Sequence, residues 1–297
     1  VEGVLTRDGE VTGVRGVACH PEAGIEGVEF LVRADEVCLA ASATGSAALI
    51  QKSDIPDPWG LAGTNLHLHP GATVIGMFDG PDDDPIRSWL GNPQSVECTE
   101  YLEVGPDARR RAWILPGAAH PAAAAMFAPG FGADHGRMMR QYPKMAAFIV
   151  MLHDHAGGRV RPDTGEQLHI HYRLDEAEYD QLAIGLRAAG RLMLAGGASR
   201  VIIPTSPPIK ASTEADLRNL DASDLGPLNP PLTAVHPMST LRMGADPSRS
   251  VVDPRGAHHQ TDGLWVADGS LFPTSIGGPP QIPIYTMGRR VARGMVE

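Results

Sequence analysis

One stretch of this 297-residue chain constrains the fold more tightly than any other. Leu168-His169-Ile170-His171-Tyr172 alternates apolar and polar residues in strand fashion. Asp175 follows as an N-cap, and Glu178, three residues on, completes a capping box. Tyr179, Leu182, Ala183, Leu186 and Met193 then recur at helical spacing, and Gly196-Gly197 ends the run. Val201-Ile202-Ile203 reads as a short strand beyond it. A strand, a capped helix and a second strand commit the chain to a mixed architecture, α/β (α+β) in class.

The rest of the chain fits that class. Val4–Arg7, a turn at Asp8-Gly9 and Val11–Cys19 predict a hairpin, with a further strand over 28–32. A short strand over 36–41 leads into the small-residue turn Ser42-Ala43-Thr44-Gly45 and a helix from Ser46 to Lys52. Such a turn places backbone N–H groups at a helix N-terminus, where an anion can sit. Strands are expected at 72–78, 96–104 and 146–153, and helices at 122–126 and 138–147. Residues 80–85 read as an acidic surface loop, and 204–235 as an extended loop rich in Pro, Ser and Asp. Leu264–Ala267 is a buried strand delivering Asp268, and a helix runs from Gln281 to Met295 with Pro283 in its first turn.

Several function classes lose support. Net charge is −10, which argues against a nucleic-acid partner, since phosphate contacts need a basic face. No apolar run reaches the length of a transmembrane helix. Cys19, Cys38 and Cys98 form neither a C-x-x-C motif nor a disulfide framework, which favours a reducing, cytoplasmic setting. No G-x-S-x-G nucleophile elbow occurs, because Pro273 stands where the first glycine before Ser275 would be. Gly130–Gly136 has the wrong spacing for a dinucleotide fingerprint. Three His-x-His pairs, His67/His69, His153/His155 and His169/His171, could each offer two metal ligands from one strand face. No carboxylate or third histidine stands at a recurring spacing beside them, so no metal site is assigned. With 34 glycines and 26 prolines, about twice the usual share, loops are expected to carry the chemistry.

The most informative segments are His236-Pro237-Met238-Ser239-Thr240-Leu241-Arg242-Met243-Gly244, Val251-Val252-Asp253 and Gly263-Leu264-Trp265-Val266-Ala267-Asp268-Gly269-Ser270-Leu271-Phe272-Pro273. Together they resemble the C-terminal signatures of the glucose–methanol–choline (GMC) oxidoreductases. Two upstream segments extend the resemblance in the same order: Val37–Ser46, similar to V-x-L-A-A-G-A-x-G-S/T, and Gly63–Pro70, similar to G-x-N-L-x-x-H-P.

The resemblance implies an FAD-dependent oxidoreductase acting on the CH–OH group of a small-molecule alcohol. Hydride passes to flavin N5 while a base takes the hydroxyl proton. His236 is the implied base, since imidazole titrates near working pH. Asp268 and Gly269 are implied to hold the flavin, with Asn65 and Leu66 on the segment that covers it, and Pro280 and Gln281 beside its ring. Two departures stand out. Pro279 occupies the place where the family usually has a second His or Asn, which leaves Gln281 as the candidate substitute. Ser42 replaces a turn glycine, which a negative φ would tolerate.

The resemblance also implies the organisation. Residues 1–66 are expected to be the tail of an FAD-binding, Rossmann-like domain. Residues 67–235 would be a substrate domain with a mostly antiparallel sheet and helices on one face, and residues 236–297 a return to the FAD domain. The chain starts at Val1 and carries no Gly-x-Gly-x-x-Gly strand–turn–helix, so an N-terminal FAD-binding segment is the expected missing partner. The alternatives are a non-catalytic GMC-like remnant or assembly partner and, behind it, a His-x-His metal enzyme.

Overall fold

A computed structural model describes residues 1–20, 22, 25–80, 85–90, 96–105, 107–118, 120–155, 157–163 and 167–297. The acidic loop expected at 80–85 lies largely outside them. In chain order the first elements are β1 (Gly3–Arg7), β2 (Glu10–His20), β3 (Ile25–Arg33), β4 (Val37–Leu39), α1 (Ser42–Lys52) and β5 (Thr64–Leu66). Next come β6 (Gly71–Met77), β7 (Ala112–Gly117), α2 (Pro121–Phe127), α3 (Ala133–Arg140) and β8 (Met145–Leu152). They are followed by β9 (Gly158–Pro162), β10 (Leu168–His171), α4 (Glu176–Ala195), β11 (Arg200–Ile203) and β12 (Ile209–Ala211). The last are α5 (Glu214–Leu217), β13 (Leu232–Thr233), β14 (Leu264–Val266) and α6 (Gln281–Val296).

The chain divides into two compact units. The first comprises Val1–Leu68, His155–Arg173 and His236–Glu297, and the second His69–Asp154 and Leu174–Val235. Residues 155–173 thus group with the first unit, although they fall inside the block 67–235.

In the first unit β1, β2 and β3 form an antiparallel sheet. Its first turn is Asp8-Gly9, both at positive φ (52° and 87°), the conformation that a two-residue hairpin requires. β4 and β14 pair in parallel, with Leu264, Trp265 and Val266 opposite Val37, Cys38 and Leu39. The core is assembled from widely separated segments: Val4, Leu39, Ile50, Leu241, Val252, Leu264 and Val291 all pack in one buried cluster. β14 is buried along its whole length, as an uninterrupted apolar run in a parallel pair should be.

In the second unit an antiparallel sheet runs β12-β11-β6-β8-β7, with β13 beside β6. The 20-residue α4 covers one face, burying Leu182 and Leu186 completely. Glycine lets it come close: a Cβ on Gly185 would lie 2.8 Å from the Ala112 methyl. The expected capping box is present, with Asp175 Oδ1 accepting from the Glu178 N–H at 2.9 Å and Glu178 Oε2 accepting from the Asp175 N–H at 3.0 Å. The chain is therefore a mixed α/β protein with mostly antiparallel sheets. Among the described residues no helix is long and apolar enough to cross a membrane.

Four expectations change. The helix at 138–147 ends at Arg140; Tyr142–Lys144 is a 3-10 turn and β8 starts at Met145. Pro143 has no N–H to continue a helix and drives the preceding residue out of it. The strand at 96–104 reduces to isolated bridges at Cys98 and Leu102, because the chain turns between them through the Leu102 N–H to Thr99 carbonyl bond. The loop at 204–235 contains β12, α5, β13 and a 3-10 turn over Ala222–Asp224. Finally α1 starts at Ser42, so the small-residue turn is the helix's own first turn, and Ser42 has φ +67° rather than a negative value.

Candidate functional site

The parallel pair β4 and β14 sets the site. Both strands end together, tied by the Ala267 N–H donating to the Leu39 carbonyl at 2.9 Å. Open α/β sheets bind ligands beyond such carboxyl ends. From one end α1 departs almost at once, and from the other emerges Asp268, only 7% exposed.

The Asp268 carboxylate is a junction. Oδ2 accepts from the Ser46 hydroxyl of α1 at 2.5 Å, and Oδ1 from the Ser270 N–H at 2.8 Å and the Ser270 hydroxyl at 2.5 Å. Ser46 Oγ in turn accepts from the Ala41 N–H at 3.0 Å. Asp268 therefore caps the 3-10 turn Gly269–Leu271 and fastens it to the start of α1. Three of the roughly four lone-pair directions of a carboxylate are used, which leaves one acceptor position for a hydroxyl.

His236 is carried on a strap that is bonded to this turn. The N–H groups of Ser239, Leu241 and Met243 donate to the carbonyls of Gly269, Ser270 and Leu271 at 3.0, 2.9 and 2.8 Å. The Thr240 hydroxyl donates to the Ala43 carbonyl at 2.5 Å, adding α1 to the assembly. Met238 and His67 exchange backbone bonds of 2.9 and 3.1 Å, and the Gly63 N–H donates to the Thr240 carbonyl at 2.9 Å. The segment carrying Asn65 and Leu66 is thereby held against the strap. His236 is half-buried, and burial holds its imidazole pKa below the ordinary histidine value.

Each sequence-named residue can now be placed. Asn65 adopts φ +63°, a region that Asn tolerates better than most residues, and its amide donates to the Pro273 carbonyl at 3.1 Å. Leu66 is fully buried. Gly269 admits the strap: a Cβ there would stand 3.1 Å from the Pro237 carbonyl oxygen. Pro280 is the buried N-cap of α6. Gln281 is exposed, and its amide donates to the Tyr285 hydroxyl at 2.8 Å, one turn along the same helix. All of these residues lie in the first unit.

Two helices of this unit start without a capping side chain. Neither α1 nor α6 has a bond from its N-cap side chain or an acidic residue in its first turn, although in α1 the Thr44 N–H donates to Ser42 Oγ at 3.4 Å. Their N-termini keep the positive end of the helix dipole for another partner. The residues that sequence reasoning missed are Ser46, Thr240 and Ser270, the polar links between the segments. Ser46 closes the Val37–Ser46 motif, and Thr240 and Ser270 lie within the two C-terminal segments that carry the family resemblance; those motif positions were the available signal.

A sequence profile described as GMC oxidoreductase matches residues 154–288. A GMC-type oxidoreductase of Mycobacterium tuberculosis strain H37Rv is 34% identical over 296 residues, covering 98% of this chain and 44% of the relative. A long-chain-alcohol oxidase of Arabidopsis thaliana is 23% identical over 280 residues, covering 90% and 38%. The chain therefore spans less than half the length of these relatives. Among solved structures, pyridoxine 4-oxidase from Mesorbium loti superposes with a TM-score of 0.65 at 20% identity, covering 99% of this chain and 56% of that one. A fungal aryl-alcohol oxidase superposes with a TM-score of 0.60 at 18% identity, covering 100% and 60%. These two likenesses establish the fold.

Proposed function

This chain belongs to the GMC oxidoreductase family, whose C-terminal region it matches, and from that premise we propose that it forms part of an FAD-dependent enzyme that oxidises the CH–OH group of an alcohol with His236 as general base. One observation carries the proposal. The His236 strap is bonded through alternate residues, Ser239, Leu241 and Met243, to the turn led by Asp268, so a base and a hydroxyl-accepting carboxylate are held in one hydrogen-bonded assembly.

The residues fit the cofactor. Asp268 keeps an acceptor direction for a ribityl hydroxyl, and the uncapped starts of α1 and α6 suit the anionic parts of FAD. Gly269, Asn65 and Pro280 complete the proposed cradle, and Leu66, wholly buried, supports its segment rather than touching the cofactor. Bound FAD supplies the two-electron acceptor.

The chain's own part is proton management. Burial favours neutral imidazole, so His236 is ready to accept the proton from the substrate hydroxyl oxygen at neutral pH. The resulting imidazolium stabilises negative charge left on that oxygen. Gln281 is the weaker candidate for a second catalytic role. Its amide already donates one N–H to Tyr285, which turns the side chain along its own helix.

The test is His236→Ala in the complete protein. Turnover with an alcohol should fall by about 10²–10⁴, the usual worth of a positioned acid–base group, with flavin still bound. Unchanged turnover contradicts the assignment.

A further inference from the structure

The β9–β10 hairpin carries chemistry that the proposed alcohol site does not use. In its register His169 stands directly opposite Arg161 and His171 opposite Arg159. Residues two apart on a strand share a face, so these four basic side chains point the same way. All four are exposed, while Val160 between the arginines is fully buried on the opposite face. β5 continues the surface, with Thr64 opposite Arg159.

The four basic side chains line one cavity of about 510 Å³, together with Thr64 and Asn65. Among the described residues no carboxylate lines it and no ion pair engages either arginine. In a chain of net charge −10 this is a local concentration of positive charge. It comes as two Arg–His pairs rather than one cluster. Each pair spans neighbouring strands, about 5 Å apart, and the two pairs are about 7 Å apart along the strands. A single phosphate can meet one pair. A ligand with two linked phosphates can meet both, with a guanidinium fork available to each.

We propose that the Arg159–Arg161–His169–His171 face binds the diphosphate group of a small soluble ligand. No Phe, Tyr or Trp lines the cavity among the described residues, so the recognition proposed is of the anion. The four residues lie outside the proposed flavin set, which shares only Asn65 with the cavity wall.

Calorimetric titration of the complete, flavin-loaded protein with inorganic pyrophosphate tests this. Pyrophosphate should bind at low salt and weaken as salt rises. Arg161→Gln and Arg159→Gln should each weaken it about tenfold or more, and Arg161→Lys less, because lysine keeps the charge and loses the fork. Adenosine diphosphate should bind within severalfold of pyrophosphate, and orthophosphate far more weakly. These side chains are exposed, so flavin content and melting temperature should be unchanged in every variant. Binding that survives both Gln substitutions overturns the proposal. So does orthophosphate binding as tight as pyrophosphate, or loss of flavin in step with loss of pyrophosphate, which would make the face part of the cofactor's grip.

Discussion

In the first unit the groups that join distant segments are small, polar and buried. Ser46, Ser239, Thr240, Asp268 and Ser270 are each less than 10% exposed, and through their side chains or backbones they connect residues up to 222 positions apart. In the second unit the same task falls to apolar periodicity, with Leu182 and Leu186 of α4 set on a sheet whose inner residues Val74 and Val150 are fully buried. A hydrogen-bonded assembly fixes directions and keeps acceptors aimed at a ligand. A packed apolar layer fixes distance but presents little chemistry. The proposed base and cofactor anchor both belong to the first kind.

The largest effect that sharpens the contrast is in the second unit. Leu186→Ala removes a wholly buried side chain and should cost about 2–5 kcal/mol in urea unfolding. That cost should not vary with pH. Hydrogen exchange should place it in α4 and the sheet.

The first unit should instead respond to acid. His258 is 5% exposed, its Nδ1 accepts from the Gln260 N–H at 3.3 Å, and its Nε2 has no hydrogen-bond partner among the described residues. Burial foremost, and then the neighbouring His259, push its pKa down to about 4. The unfolded chain takes up this proton near pH 6.5, before the folded one does. The stabilisation is therefore full above that pH and is lost as pH falls towards 4, by about 3 kcal/mol in all. His258→Asn should flatten that segment of the stability–pH curve, and an unaltered curve would remove His258 as its cause.

A smaller effect probes the polar junction. Asp268→Ala leaves the Ser46 and Ser270 hydroxyls without their buried acceptor and should cost about 1–3 kcal/mol. The loss should appear as faster amide exchange at Gly269–Leu271 and at the start of α1. If exchange rises in α4 instead, the contrast between the units fails.

The same contrast explains what could be read from the sequence. α4 was legible end to end, because Asp175, Glu178, the apolar stripe and Gly196 are all local signals. So was the Asp8-Gly9 hairpin. The 138–147 region misled because Met138, Met139 and Met145–Ala147 suit a helix by composition, while Pro143 and the pairing of β8 with β6 and β7 decide otherwise. The candidate site was legible only as motifs: His236 and Asp268 stood out, yet nothing local shows that Ser239 bonds Gly269 or that Ser46 reaches Asp268. Such links span tens to hundreds of residues. Ser42 at φ +67° is a further case, since its backbone is set by the turn into α1 and not by its own preference.

The most direct test of the central claim is the pH dependence of flavin reduction by an alcohol, followed anaerobically in the complete protein and in its His236→Ala variant. The rate should rise with pH through an apparent pKa below the ordinary histidine value near 6.5, because burial favours the neutral imidazole. In the variant that limb should vanish along with most of the rate. A limb of unchanged position in the variant would show that another group takes the proton.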